Sequence, residues 1–260
     1  MDRLVQEIIA DLKTYLEYLR GMGIVGLPTS EDRPREVFLN SSLPPIPPTL
    51  EEVRKELGDC LRCKLHRTRR TLVFGEGNKK AKLMIIGEGP GYEEDVQGKP
   101  FIGKAGQLLT KILQSIHLSR EEVYITNIIK CRPPQNRNPE LEEIQTCYPF
   151  LLKQIHAIQP QIICALGTFA AQTLLKTDAK ITTLRGRFYE FTPLENPAIH
   201  PVGCVLSNGV NGGDDINKTG FAGIKVIPTY HPAYLLRNPG RKRDVWEDMK
   251  QISKWMFDHV

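Results

Sequence analysis

Four short apolar segments, each ending at a glycine or a polar residue, constrain the fold of this chain most strongly. They predict strands over residues 83–86, 123–126, 161–166 and 224–228. Helices are predicted between and after them, over 105–116, from Pro139 to about 157, over 168–175 and over 243–257. Strands that alternate with helices predict an α/β fold with three layers. In this α/β/α arrangement, helices cover both faces of a short, mostly parallel four-stranded sheet.

The carboxyl ends of three predicted strands carry glycine-rich or polar sequence. Residues 87–91 follow the first strand, Asn127 follows the second and His231 follows the fourth. Open parallel sheets bind ligands beyond the carboxyl ends of their strands, so we expect the chemistry at this edge. The nearby Gly98-x-x-x-x-Gly103-Lys104 is not interpreted as a nucleotide-binding loop, because Ala105 replaces the magnesium-binding Ser or Thr.

The first 48 residues differ from the rest of the chain. Residues 1–22 predict an amphipathic helix with one apolar stripe, and residues 23–48 predict a proline-rich linker. The helix could dock another protein or fold back on the body, and the sequence leaves both open. Thr49 and Glu52 form a capping-box pattern, so we expect residues 49–260 to form the main domain, starting with a short helix to Leu57.

Composition excludes several classes of protein. No apolar run reaches the ~18 residues of a membrane span, and Glu7, Asp11 and Lys13 interrupt the only candidate for a secretory signal. A cytoplasmic location is therefore predicted, where disulfides are disfavoured and the six cysteines need another explanation. The formal net charge of +5 permits nucleic-acid binding without requiring it. Basic residues concentrate between Arg62 and Lys82, where Glu76 is the single acid.

Four of the cysteines have the spacing of a metal site. Cys60-x-x-Cys63 follows the first short helix, Cys131 follows the second strand and Cys147 lies on the next predicted helix. Such a set can hold zinc or an iron–sulfur cluster, and base rates alone slightly favour zinc. Cys164 lies in a predicted strand and Cys204 in a loop region, which is typical of plain thiols.

Three segments together carry a resemblance to a known family. They are GEGPG at 87–91 with GKPFIGKAG at 98–106, YITN at 124–127 running into KCRPP at 130–134, and HPAYLLR at 231–237. In their order and joint presence they resemble the family 4 uracil-DNA glycosylases, the iron–sulfur type of bacteria and archaea. The resemblance covers about residues 51–260 and implies the uracil-DNA glycosylase fold. It also implies a [4Fe–4S] cluster, in place of zinc, on the four cysteines Cys60, Cys63, Cys131 and Cys147.

The resemblance implies roles for the residues at the strand ends. His231 would stabilise negative charge on uracil O2, Phe101 would stack on the flipped base, and Asn127 would read its edge. The pocket wall would come from Glu88, Gly89 and Pro90, with Glu88 and Gly89 also helping to place the attacking water. Glu94 matches the residue thought to exclude the 5-methyl group of thymine.

Two further features of the sequence are a predicted DNA contact and two segments that depart from the short family members. After the histidine, Leu235 and Leu236 beside Arg237 predict an apolar wedge and a phosphate contact. The N-terminal arm and the long stretch at about 193–219 depart from the short family members, which leaves their roles open.

The predicted function is that of a monofunctional uracil-DNA glycosylase that starts base excision repair and leaves an abasic site. The expected partner is uracil-containing DNA, single- or double-stranded, and a monomer is predicted. One alternative is the same fold acting on another deaminated base, hypoxanthine or xanthine, with Asn127 and Glu94 as the discriminating positions. A second is a non-catalytic iron–sulfur protein that binds uracil-DNA, and a third keeps the cysteines but puts zinc on them.

Overall fold

The structure is a computed structural model that describes Lys13, residues 47–191 and residues 223–258. The chain divides into two units, Met1–Leu43 and Pro44–Val260, and the fold below belongs to the second. Apart from helical Lys13, the predicted helix over 1–22 lies outside the described residues. So do nearly all of the predicted linker 23–48, the long stretch at 193–219 and Cys204, and these predictions stay predictions.

Helices and strands alternate along the described part of the second unit. The helices are α1 (Leu50–Leu57), α2 (Tyr92–Gln97), α3 (Lys104–Gln114), α4 (Leu141–Ile158), α5 (Thr168–Leu175), α6 (Ile181–Leu184), α7 (Pro232–Arg237) and α8 (Lys242–Asp258). The strands are β1 (Glu76–Gly77), β2 (Leu83–Gly87), β3 (Tyr124–Asn127), β4 (Ile162–Leu166), β5 (Tyr189–Glu190) and β6 (Lys225–Thr229). Short 3₁₀ turns cover Lys64–Arg67, Pro134–Asn136 and Pro239–Arg241.

The described strands form one sheet in the order β1-β3-β2-β4-β6-β5. The four inner strands are parallel to one another, which confirms the mostly parallel sheet. The predicted number of four strands is wrong, because β1 and β5 add antiparallel edges. Each edge strand has two residues, which is too short for alternation to reveal. The register pairs Gly87 with Asn127, so the ends of β2 and β3 lie side by side.

Helices cover both faces of the sheet, as the three-layer prediction requires. Successive residues of β2 point to opposite faces, so Met84 and Ile86 pack with α1, α4 and α5, whereas Leu83 and Ile85 pack with α3, α7 and α8. All residues of β2 and β4 are buried, which explains their continuous apolar sequence. Cys164 lies fully buried in β4, as predicted. None of the described helices is long and apolar enough to cross a membrane.

Local signals fixed some helix ends and missed others. The capping box is present at α1, where the Thr49 hydroxyl accepts the Glu52 N–H at 3.2 Å and the Glu52 carboxylate accepts the Thr49 N–H at 2.7 Å. The next long helix, α4, begins at Leu141 and not at Pro139, because the Glu143 carboxylate accepts the N–H of the cap residue Glu140 at 2.8 Å. The short helices α2, α6 and α7 have four to six residues, too few to show a period.

Candidate active site and cysteine patch

A cavity of about 740 Å³ opens at the carboxyl ends of the parallel strands. Its lining brings together all seven residues predicted to bind or act on the base, which are Glu88, Gly89, Pro90, Glu94, Phe101, Asn127 and His231. These residues come from the ends of β2, β3 and β6, from α2 and from the loop before α3. The sheet register explains the convergence, because the carboxyl ends of parallel strands meet at one edge.

Phe101 has almost no rotational freedom in this cavity. It is buried, and its backbone φ of 51° is in the left-handed region that non-glycine residues rarely adopt. A Cβ at Gly87 would lie 2.4 Å from the Phe101 ring, and one at Gly106 would lie 1.8 Å from its carbonyl oxygen. Both glycines are therefore required for close approach to this residue.

Arg120 holds the same loop from outside the cavity, and the sequence did not point to it. Its guanidinium donates to the carbonyl oxygens of Phe101 at 2.9 Å and of Pro100 at 2.8 Å. The Glu76 carboxylate accepts a third bond from it at 2.7 Å. A left-handed non-glycine residue costs about 1–3 kcal/mol, and these bonds offset that cost. Arg120 thus fixes the position of the Phe101 ring.

Asn127 presents a buried polar group without a partner. It ends β3, its side chain is fully buried, and its Oδ1 has no hydrogen-bond partner among the described residues. Leaving a buried acceptor unpaired costs roughly 1–3 kcal/mol. The backbone of this residue is held in place, because the buried Nζ of Lys130 donates to the Asn127 carbonyl oxygen and to the Thr126 hydroxyl, each at 2.6 Å. The site is therefore suited to a ligand that supplies an N–H donor.

His231 is held as a neutral hydrogen-bond donor. It follows β6 and caps α7, where its Nδ1 lies 3.1 Å from the Ala233 N–H that it accepts. Burial, with the charge of Arg237 as a lesser cause, lowers the pKa of the imidazole to about 4. With Nδ1 occupied as an acceptor, the single ring proton must be on Nε2. The ring centroids of His231 and Phe101 are 5.5 Å apart, so both side chains face the same space.

Two neighbouring residues of the first loop differ in what they offer. Burial raises the pKa of the Glu88 carboxyl to about 7, so that it is half ionised near neutral pH. Gly89 has no room for a side chain, because a Cβ there would lie 2.8 Å from Cγ1 of Ile129. A carboxylate at position 89 is therefore excluded by packing, and Glu88 is the acid of this pair.

Glu94 ties two loops of the cavity together. One carboxylate oxygen accepts the N–H groups of Ile102 and Gly103, each at 2.9 Å, and the other accepts the Gly91 N–H at 3.1 Å. The side chain is thereby fixed between the loop after β2 and the loop before α3. Its predicted role in excluding a methyl group stays a prediction.

The predicted DNA wedge is only partly compatible with the structure. Leu235 has no exposed surface and packs in the core with α3 and α8, so its assignment as a DNA contact is wrong. Leu236 is 46% exposed, and Arg237 is exposed and lines the cavity. The turn of α7 puts consecutive residues on different faces, which a Leu-Leu pair in the sequence does not reveal.

The four predicted metal-binding cysteines come from three parts of the chain and meet in one region, here called the cysteine patch. The thiols of Cys63, Cys131 and Cys147 each have a pKa that depends on charge at other members of the set. Three donors reach the sulfurs. Arg62 donates to Cys60 Sγ at 3.3 Å, Arg69 to Cys131 Sγ at 3.4 Å and the Lys130 N–H to Cys147 Sγ at 3.3 Å.

Burial disfavours thiolates in the cysteine patch. Burial raises the pKa of Cys131 to about 11 and of Cys147 to about 12, and it also raises that of Cys63. Among the described residues, no three side chains of the metal-binding types stand close enough to surround one metal ion. Sulfur ligands bind metals as thiolates, so a bound cationic group would offset the cost of burial.

Two more residues near the cavity, Lys130 and Tyr92, were not identified from the sequence. Lys130 lies in the quoted KCRPP motif after two isoleucines, and a lysine that continues an apolar run indicates a buried amine with hydrogen-bond partners. Tyr92 directly follows the glycine-rich loop and lines the cavity. Arg120 carries no such signal, because its partners are 19 and 44 residues away.

Comparison with known proteins identifies the family. The model of the uracil DNA glycosylase superfamily matches residues 74–250. The Type-4 uracil-DNA glycosylase of Archaeoglobus fulgidus is 39% identical over 210 residues, which cover 79% of this chain and 92% of the relative. The Type-4 uracil-DNA glycosylases of Saccharolobus solfataricus and Thermotoga maritima are each 40% identical over 210 residues, covering 79% and 80% of this chain and 85% and 94% of the relatives. The chain belongs to the uracil-DNA glycosylase superfamily and, within it, to the type-4 family.

Proposed function

We propose that this protein is a monofunctional uracil-DNA glycosylase, which hydrolyses the bond between uracil and deoxyribose and leaves an abasic site. The observation that carries the proposal is the unpartnered Oδ1 of Asn127, buried in a cavity whose other walls include Phe101 and His231. A base within a duplex cannot reach such a cavity, so the nucleotide must be flipped out of the helix.

Asn127 and Phe101 would select and hold the base. The ring of Phe101 stacks on the pyrimidine, while the Asn127 amide accepts from uracil N3–H and donates to O4. Cytosine carries an acceptor at N3 and a donor at position 4, so both amide groups would face the wrong partner. Each buried mismatch costs about 1–3 kcal/mol, which is enough to exclude cytosine from productive binding.

His231 would stabilise the departing base. When the C1′–N1 bond breaks, its electron pair moves onto the uracil ring and negative charge develops on O2. The Nε2–H of neutral His231 donates to that oxygen, and a single oxyanion donor of this kind contributes about 2.7–4 kcal/mol. Water then bonds to C1′, and the proton that it loses is taken up by the departing uracil anion. The Glu88 carboxylate is the group that we assign to orient this water, with the backbone at Gly89 and Pro90 completing the wall.

Contacts with the DNA strand would come from the end of α7. Leu236 is the exposed apolar side chain available to fill the space that the flipped base leaves. The neighbouring Arg237 is suited to a backbone phosphate. Leu235 takes no part in this contact, because it is core.

We infer that Cys60, Cys63, Cys131 and Cys147 hold a [4Fe–4S] cluster. The support is the donor set, which consists of four thiols from three segments, with Arg62, Arg69 and the Lys130 N–H donating to sulfur. Four thiolates are the ordinary ligands of such a cluster, and hydrogen bonds to the sulfurs are part of its usual environment. When bound, the cluster supplies iron–sulfur bonds that tie the three segments together beside the cavity.

The cofactor proposal separates from the zinc alternative by spectroscopy. Protein purified without oxygen should be brown and absorb near ~400 nm, with iron and sulfide in equal amounts. A colourless, active protein with one equivalent of zinc would overturn it. The monomeric state, the cytoplasmic location and a docking role for residues 1–22 stay predictions.

The decisive test of the function is excision from labelled oligonucleotides that carry one uracil, in single strands and opposite G or A. Alkali then cleaves the strand at any abasic site. Wild-type protein should produce cleavage, and the His231→Ala variant should lose it. The matched control is His117→Asn, because His117 is exposed and Asn tolerates its left-handed backbone.

The same assay addresses the alternatives. Cleavage only at hypoxanthine or xanthine would move the substrate to another deaminated base. Asn127→Ala should cut uracil excision sharply, and unchanged activity would mean that the base is read elsewhere. Tight retention of uracil-DNA without cleavage, in protein with its cluster intact, would favour the non-catalytic binding role.

A further inference from the structure

Tyr92 lies at the rim of the base cavity with two guanidinium groups against its ring. It is the first residue of α2, and 47% of it is exposed. The guanidinium carbon of Arg132 lies 5.1 Å from the ring centroid, and that of Arg70 lies 5.4 Å from it. Both distances fall within the range of cation–π attraction. One tyrosine in the cavity lining thus contacts two groups of like charge.

The two arginines reach Tyr92 from separate segments, and each is anchored. The Arg70 backbone N–H donates to Oδ1 of the buried Asp95 at 2.9 Å, one turn along α2 from Tyr92. Arg132, next to Cys131, donates from Nε to Asn136 Oδ1 at 2.7 Å. The fold therefore holds the Arg70 backbone and the Arg132 side chain next to Tyr92.

Neither guanidinium is neutralised by an acid. Within residues 47–191 and 223–258, Arg70 and Arg132 have no ion pair with a carboxylate, unlike Arg69, Arg120, Arg137 and Arg185. The ring offsets only part of the repulsion between two cations, because each contact is worth about 0.5–1 kcal/mol at an exposed position. An anion between or beside the guanidiniums would complete the arrangement.

We propose that Arg70, Tyr92 and Arg132 form a subsite for a backbone phosphate of the DNA strand next to the flipped nucleotide. The inference rests on the proposed function for the strand that enters the cavity, which Tyr92 also lines. A phosphodiester is the anion that this substrate carries on both sides of every base. Arginine matches phosphate through its planar set of donors, and the Tyr92 hydroxyl is a further donor at the same place.

Salt dependence provides the sharpest test, because each phosphate contact releases counterions. The measurement is the dissociation constant for a single-stranded oligonucleotide without uracil, across a series of salt concentrations. Arg70→Gln and Arg132→Gln should each reduce the slope of log affinity against log salt by about 0.7, and the double variant by about twice that. The control is Arg54→Gln, since exposed Arg54 makes the same kind of contact with Phe74 at 5.4 Å away from the cavity lining.

Kinetics on uracil-containing strands provide the second readout. Each Arg→Gln variant should raise KM about two- to five-fold at moderate salt while kcat at saturation is unchanged, the size expected for an exposed charge pair. Tyr92→Ala should raise KM more than either, because it releases both arginines, whereas Tyr92→Phe keeps the ring and should change KM less. A fall in kcat at constant KM would overturn the subsite and place these residues in the chemistry of the base.

A length series identifies the source of the phosphate. Substrates are shortened by one nucleotide at a time from each end. For wild-type protein KM should rise in one step when the contacted phosphate is removed, and Arg132→Gln should lack that step. Inorganic phosphate should compete only weakly with the strand. Wild-type slopes in both Arg→Gln variants, or an unchanged step in Arg132→Gln, would overturn the subsite. If the wild-type protein excises no uracil but the Arg→Gln variants still have lower salt slopes, the proposed function is overturned and the subsite stands.

Discussion

The base cavity and the cysteine patch suit bound groups of different kinds. In the cavity the unsatisfied group is the buried amide oxygen of Asn127, which is open to a ligand that comes and goes. In the patch, burial raises the pKa of three thiols, so a cationic group bound to their thiolates would offset the cost of burial. An amide oxygen without a hydrogen-bond partner suits a substrate that binds and leaves, whereas buried thiolates suit a bound group that stays.

The two regions are also joined through one residue. Lys130 donates its ammonium protons to the Asn127 carbonyl and the Thr126 hydroxyl, while its backbone N–H donates to Cys147 Sγ. Cys131 is the next residue. The segment from Asn127 to Cys131 therefore fixes the base-reading amide at one end and a thiol of the patch at the other.

The largest expected effect tests whether the patch holds a permanently bound group. Cys131→Ser should remove the absorption near ~400 nm and lower the free energy of unfolding by an amount on the order of 10 kcal/mol, as for other structural metal sites. Thermal unfolding followed by circular dichroism measures the change. The control is Cys164→Ala, a buried thiol outside the patch, which should keep the absorption. Unchanged stability without the absorption would mean that the patch needs no bound group.

The next effect tests the transient side of the comparison. His231→Ala should lower kcat for uracil excision about 10²–10³-fold with little change in KM, because its Nε2–H acts on charge that develops only as the bond breaks. Single-turnover kinetics at saturating enzyme isolate this step. If KM rises and kcat does not change, the histidine binds the base in the ground state and our assignment of its role fails.

A third effect separates core from surface within α7. Leu235→Ala should destabilise the protein by about 2–5 kcal/mol and leave kcat unchanged at a temperature where the variant is folded. Leu236→Ala should change stability by less than ~0.5 kcal/mol and raise KM for duplex substrate. Unfolding curves and excision assays on both variants measure this, and the reverse pattern would contradict the burial of Leu235.

The features that the sequence predicted correctly depend on local patterns, whereas the features that it missed depend on contacts between residues distant in the chain. The parallel strands, the Thr49 cap and the convergence of Asn127 and His231 were predictable, because each depends on a short pattern and one rule of sheet topology. The left-handed backbone of Phe101 and its anchoring by Arg120 were not, since no local pattern encodes a bond across 19 residues. Leu235 was misassigned because two adjacent leucines do not indicate which one faces the core.

The smallest expected effect concerns the acid–base role of Glu88. Since burial raises the pKa of its carboxyl to about 7, the carboxylate that would orient water forms as pH rises through 7. Log kcat should therefore climb with a slope near one below pH 7 and level off above about 8, which makes the rate at pH 7 half of the plateau. His231 adds no second limb between pH 5 and 9, because its pKa of about 4 keeps it neutral there. Glu88→Gln should give a low and flat profile, and a limb that survives in this variant would assign the titration to another group.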